Sequence, residues 1–144
     1  VRLMNAYFVT CTGYDVDEDG NVTCVYATYD PESRGGNSPD GRKVRGTIHW
    51  VSAKTAKKAE IRLYENIVDE EKGVYNEDGS INVNPNSLTV IKEAYVEPEL
   101  EKYDKGDSFQ FMRTGYFCLD SKDSTKEHMV FNRIVSLKSS YKPN

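Results

Sequence analysis

Short runs of Val, Ile, Thr, Tyr and Phe alternate along this chain with clusters of Gly, Asn, Asp, Ser and Pro. No segment sustains a 3.6-residue apolar period over three turns, so amphipathic helices cannot build the core. Strands are predicted over 3–11, 22–29, 43–51, 60–68, 88–96, 108–119 and 129–138, each rich in β-branched or aromatic residues. Turn signals separate them. Asp19 and Gly20 supply the positive φ of a tight hairpin, Asp78 and Gly79 offer another, and 31–41 (PESRGGNSPDG) reads as a loop. The bridge 52–59 is too short for a core helix and reads as one helical turn or a surface loop. Short strands with turns between them predict an all-β fold, a barrel or a sandwich.

A length of 144 residues suits about one domain and is enough to bury a core without staples. No apolar stretch is long enough to span a bilayer as a helix. The N-terminus lacks a basic segment followed by an apolar one, so it does not read as a signal peptide. It opens directly in strand-like sequence, as a fragment cut from a longer chain or a processed N-terminus would. Cys11, Cys24 and Cys118 are odd in number and widely spaced, which fits a reducing cytosol and buried structural thiols rather than disulfides. Neither CxxC nor HxxxH occurs, so no zinc site is expected. The acidic run DVDEDGN reads as a solvated turn, since the glutamate spacing of a calcium loop is missing.

Catalytic chemistry finds little support. There is no GxSxG elbow, no P-loop and no dinucleotide fingerprint. Sequence singles out no carboxylate pair among 23 acidic residues, nearly all of them in polar turns. The net charge of −4 argues against a nucleic-acid partner when taken as a sum. Its distribution is less uniform. Arg34, Arg42, Lys43, Arg45, Lys54, Lys57 and Lys58 face the single acid Asp40 between 34 and 58, a local +6 that leaves −10 elsewhere. A basic face is therefore compatible with an acidic total. In FQFMRTGYF, alternation sets Phe109 and Phe111 on one face and Gln110 and Met112 on the other. A planar amide beside a guanidinium suits an unpaired base, although an ordinary amphipathic strand would look the same.

Longer strings narrow the choice. RLMNAY, TYDP, DGRKVRGTIHWVSA, EIRLY, NPNSLTVIKEAYVEP, FQFMRTGYFCLDS and VFNRIVSLK, in this order, resemble the C-terminal anticodon-binding region of the glutaminyl-tRNA synthetase family, and they cover essentially the whole chain. That family's region holds two six-stranded antiparallel β-barrels related to a ribosomal protein that binds 5S RNA. The resemblance implies that 1–144 forms one anticodon-binding barrel domain, the distal barrel plus C-terminal strands returning to an absent proximal one. Such returning strands would be disordered, pair differently, or dimerise through exposed edges.

By the same resemblance, Arg2 contacts the first anticodon base, and Gln110 and Arg113 contact the middle one. The position two after Arg2, often a second arginine in bacterial members, is Met4, which implies a differently built first-base pocket. The third-base pocket lies upstream of Val1. His49 and Trp50 read as structural parts of the barrel, and no base contact is carried over to Arg42, Lys43 or Arg45. The implied partners are the glutamine tRNA and the rest of the synthetase, in the cytoplasm, with no membrane and no DNA. ATP and Mg²⁺ would serve the parent enzyme, and this chain would hold no catalytic residue, metal or cofactor. An archaeal- or eukaryotic-type glutamyl-tRNA synthetase, or a protein-binding barrel without RNA function, stands as the alternative.

Overall fold

The computed structural model describes residues 1–35, 38, 40–68 and 72–137. The described residues are all-β apart from short 3₁₀ turns, and the chain divides into two units, Val1–Trp50 and Val51–Asn144. No helix among the described residues is long and apolar enough to cross a membrane.

In the first unit, β1 (Arg2–Leu3), β2 (Phe8–Val16), β3 (Val22–Asp30) and β4 (Thr47–Ile48) form one sheet in the order β3-β2-β1-β4. The β1–β4 pairing is parallel and the others are antiparallel. The β2–β3 turn closes as its residues require. The Asp17 carboxylate accepts the Asn21 side-chain amide and the backbone N–H groups of Asp19 and Asn21, and Gly20 takes φ 81°. Those bonds, led by the Asn21 side chain, hold the Asp17 carboxyl below its ordinary range. At the other end of the hairpin, Asp30 accepts the Glu32 N–H and caps a 3₁₀ turn over Pro31–Ser33. Fully buried Ser33 then donates to the Asp30 carbonyl at 2.6 Å and accepts the Phe8 N–H at 2.8 Å. That bond ties the start of β2 to the end of β3.

The ribbon beyond Phe8 has an uncovered apolar face. Its register pairs Val9 with Tyr29, Cys11 with Ala27, Tyr14 with Val25, and Val16 with Val22. Tyr14 is 64% exposed, and Val16, Val22, Val25 and Tyr29 are also exposed.

In the second unit, β5 (Lys57–Tyr64), β6 (Leu88–Val96), β7 (Ser108–Phe111), β8 (Gly115–Leu119) and β9 (Met129–Ser136) lie in the order β6-β5-β9-β8-β7. Only β5 and β9 run parallel among these pairings. One face carries the core: Ala59, Ile61, Val96, Phe117, Leu119, Met129 and Phe131, with Leu63, Phe109 and Phe111 packed against it. Phe111 stacks on Phe117 at 4.6 Å between centroids and meets Phe131 edge-on at 5.2 Å, in the offset and T-shaped geometries that aromatic quadrupoles favour.

A polar cluster closes the β8–β9 loop. Asp120 accepts the backbone N–H groups of Asp123 and Lys122 and the Asn132 amide, which lowers its pKa to about 2. Arg62 donates to Asp123 at 2.6 Å and to Glu60 at 2.7 Å, and the two carboxylates, Asp123 first, raise its pKa.

Several expectations change. The six-stranded antiparallel barrel is not confirmed: the described strands form two open mixed sheets, each with one parallel pair. Lys138, the last residue of the strand expected over 129–138, lies outside the described residues. Cys11 and Cys24 are exposed rather than buried, because both sit on the uncovered β2–β3 ribbon. The strand expected over 3–11 breaks at Asn5, which takes φ 57°, and that expected over 43–51 shrinks to Thr47–Ile48 after Gly46 at φ 86°.

Candidate functional site

Two turns present the candidate base-reading residues, one in each unit. In the second unit, β7 and β8 pair Gln110 with Tyr116 and Phe111 with Gly115, leaving Met112, Arg113 and Thr114 to reverse the chain. Phe109 and Phe111 turn inward onto the aromatic core, and strand alternation therefore directs Gln110 out to solvent. Arg113 occupies the left-handed region at φ 66°, and Thr114 N–H closes the turn on the Phe111 carbonyl at 2.9 Å. This conformation is uncommon for a side chain other than Asn, Asp or Gly. Gln110 and Arg113 are thus brought onto one exposed hairpin, a planar amide and a guanidinium on the same turn.

Arg2 lies on β1 of the first unit, half-buried, with its guanidinium 5.1 Å from the centroid of the Phe8 ring. Its Nε is buried and has no hydrogen-bond partner among the described residues. Arg42 lies over the same ring at 5.7 Å and forms an ion pair with Asp30. Sequence reasoning missed this cluster, because Asp30, Arg42 and Phe8 meet only once the hairpin and the loop after it have folded. Met4 is half-buried, and its carbonyl accepts the Trp50 indole N–H at 3.0 Å. Trp50 therefore has a structural contact, as expected, yet it stays 43% exposed.

The +6 segment is divided between the two units. Arg34, Arg42, Lys43 and Arg45 belong to the first unit, and Lys54, Lys57 and Lys58 to the second. Arg42 pairs with Asp30, Lys57 with Glu101 at 2.7 Å and Lys58 with Glu93 at 3.2 Å. The Glu93 carboxylate also raises the Lys58 pKa. A shallow hollow of about 280 Å³ in the second unit is lined by Leu100, Tyr103, Lys105, Ser124, Lys126 and Met129 among others, and neither Gln110 nor Arg113 reaches it. Among the described residues, no group of three or more His, Cys, Asp or Glu side chains could hold a metal ion.

Comparison with known proteins gives these hairpins a context. The family model described as "tRNA synthetases class I (E and Q), anti-codon binding domain" matches residues 47–120, a stretch that includes Gln110 and Arg113 but not Arg2. The chain is 54% identical over 144 residues to a glutamine–tRNA ligase of Clostridium kluyveri, covering 99% of this chain and 26% of that protein. It is 47% identical over 141 residues to a glutamine–tRNA ligase of Vibrio vulnificus, covering 98% and 25%. A Clostridioides difficile glutamine–tRNA ligase is 48% identical over 148 residues, covering 99% and 26%. The chain thus spans about a quarter of the length of the curated relatives it matches.

Proposed function

Since the chain belongs to the class I tRNA synthetase (E and Q) anti-codon binding domain family, we propose that it reads the anticodon of the glutamine tRNA as part of a glutamine–tRNA ligase. The carrying observation is the β7–β8 hairpin, which holds Gln110 and Arg113 together at the surface within the matched residues. An anticodon base that leaves its stack exposes both its edge and its face. A planar amide offers a donor and an acceptor to that edge, and a guanidinium offers a fork of donors or a stacking plane. In this reading Gln110 and Arg113 hold the middle base. Arg2 meets the first base through its guanidinium, which lies on the Phe8 ring and is only half-buried.

Glutamine is preferred to glutamate because the three relatives described above are all glutamine–tRNA ligases. The parent enzyme would join glutamine to its tRNA using ATP and Mg²⁺ in its other parts, in the cytoplasm, and no residue of this chain takes part in that chemistry. The barrel belongs to the same proposal: other strands of the synthetase would complete the open sheets and cover the apolar face of β2 and β3.

Fluorescence anisotropy with anticodon stem-loops tests the reading. The matched loop should bind more tightly than loops changed at the first or middle base, with affinity falling as salt rises. Equal affinity for all three loops at every salt concentration would refute it.

A further inference from the structure

The turn that follows Arg2 is closed by its own backbone hydrogen bonds. Leu3 N–H donates to the Tyr7 carbonyl at 2.9 Å and Ala6 N–H to the Leu3 carbonyl at 3.0 Å, so the chain reverses within Leu3–Tyr7. Closing so tight a loop requires a residue with positive φ, and Asn5 supplies it at 57°. Asn visits this region at less cost than other L-residues, because its short polar side chain can bond locally. Among the described residues, only Asn5 and Arg113 have positive φ without being glycine. Both lie in turns that carry candidate base-reading residues.

The turn is also held from outside. Arg2 N–H donates to the Gly46 carbonyl and Met4 N–H to the Ile48 carbonyl, each at 3.0 Å. Trp50 then donates its indole N–H to the Met4 carbonyl at 3.0 Å. An indole this exposed could bond to water instead. Here its donor is spent on the backbone two residues from Arg2, which leaves neither backbone group of Met4 free to reorganise.

We propose that Asn5 and Trp50 are positioning residues that lock the Leu3–Tyr7 turn, so that Arg2 meets an RNA base in one geometry. The proposal rests on the anticodon reading above and assigns to it two residues that make the first-base contact selective. Neither needs to touch RNA. Asn5 acts through its φ and Trp50 through one hydrogen bond.

The test uses this 144-residue chain with Asn5→Val, Asn5→Gly and Trp50→Phe. Valine is poorly tolerated at positive φ, glycine is at home there, and phenylalanine keeps a ring while removing the donor. Affinities are measured for the matched stem-loop and for loops changed at the first or middle base. Asn5→Val and Trp50→Phe should each shrink first-base discrimination by about fivefold, through depopulation of the competent turn. Both should leave middle-base discrimination, which belongs to the other turn, within about twofold of its starting value. Asn5→Gly should keep both.

Retained first-base discrimination in Asn5→Val and Trp50→Phe, or an equal fall in both discriminations, overturns the proposal. Loss in Asn5→Gly as severe as in Asn5→Val also overturns it, because a side-chain role would then be required. Emission from Trp50, the only tryptophan, provides a readout without RNA. It should shift to the red in Asn5→Val and not in Asn5→Gly, and unchanged emission in Asn5→Val overturns the lock. If the unaltered chain discriminates at neither base, the anticodon reading falls, and the emission alone decides whether the lock exists.

Discussion

Arg113 offers the sharpest test of whether a candidate base-reading residue is held at a cost to stability. At φ 66° its Cβ crowds the following carbonyl, a penalty of about 1–2 kcal/mol for an L-residue in the left-handed region. Glycine escapes that penalty but loses about 0.5–1 kcal/mol more conformational entropy on folding than alanine. Arg113→Gly should therefore be about 0.5–1 kcal/mol more stable than Arg113→Ala. Comparing two truncations cancels whatever the arginine side chain itself contributes. For a chain of this size the difference corresponds to a rise of about 1–4 °C in melting temperature, readable by circular dichroism.

Both variants should bind the matched stem-loop about 10–100-fold more weakly than the unaltered chain, the range expected for losing hydrogen bonds from a charged donor. A glycine variant that melts below the alanine variant would refute the backbone argument. Unchanged RNA affinity in both would refute Arg113 as a base-reading residue.

Two further outcomes test the second unit's architecture. A methyl group on Gly115 would lie 2.7 Å from the Val135 carbonyl oxygen and 3.4 Å from the Phe117 ring. Gly115→Ala should therefore cost about 1–3 kcal/mol in urea denaturation, since backbone rather than a mobile side chain must move. Asp120, with a folded-state pKa near 2 against an ordinary 3.8, adds stability that is complete above its unfolded value. That stability is lost as the pH falls through about 2. Asp120→Asn should be less stable at about pH 7 and should show a flatter acid dependence between about pH 4 and pH 2 than the unaltered chain.

Local alternation was the most legible part of the fold. The strand expected over 88–96 is β6, Leu88–Val96, and FQF places its phenylalanines on the core and Gln110 outside, because a pleated strand has only two faces to choose from. The turns were harder to read. LMNAYFVTC looks like one continuous strand, since nothing in its composition announces that Asn5 will adopt positive φ. FQFMRTGYF hid its reversal for the same reason at Arg113. The two-residue lengths of β1 and β4 depend on each other, because each is limited by the other's extent in a parallel pair. Pairings of this kind join residues far apart in sequence, and periodicity carries no information about them. The exposed thiols belong to the same class of surprise: Cys11 and Cys24 sit in apolar, strand-like sequence, and only the folded β2–β3 ribbon shows that both are exposed.

The charge pattern illustrates how folding rewrites a sequence signal. A block of +6 suggests an electrostatic surface, yet its cations are divided between two units, and three of the seven are matched by Asp30, Glu101 and Glu93. Each matched cation weakens the long-range field, because its carboxylate lies within a few ångströms and the pair acts as a dipole at any greater distance. On the proposed anticodon reading, what remains for selectivity is short-ranged and directional: a guanidinium on a ring at Arg2, and an amide and a guanidinium on one hairpin at Gln110 and Arg113. Directional contacts of this type discriminate only when the backbone beneath them is fixed. The two left-handed turns provide that fixity, since a residue held at positive φ by closed hydrogen bonds has few nearby conformations to relax into. On the anticodon reading proposed above, a weakly charged chain with rigid turns serves to choose between bases rather than to attract RNA from a distance.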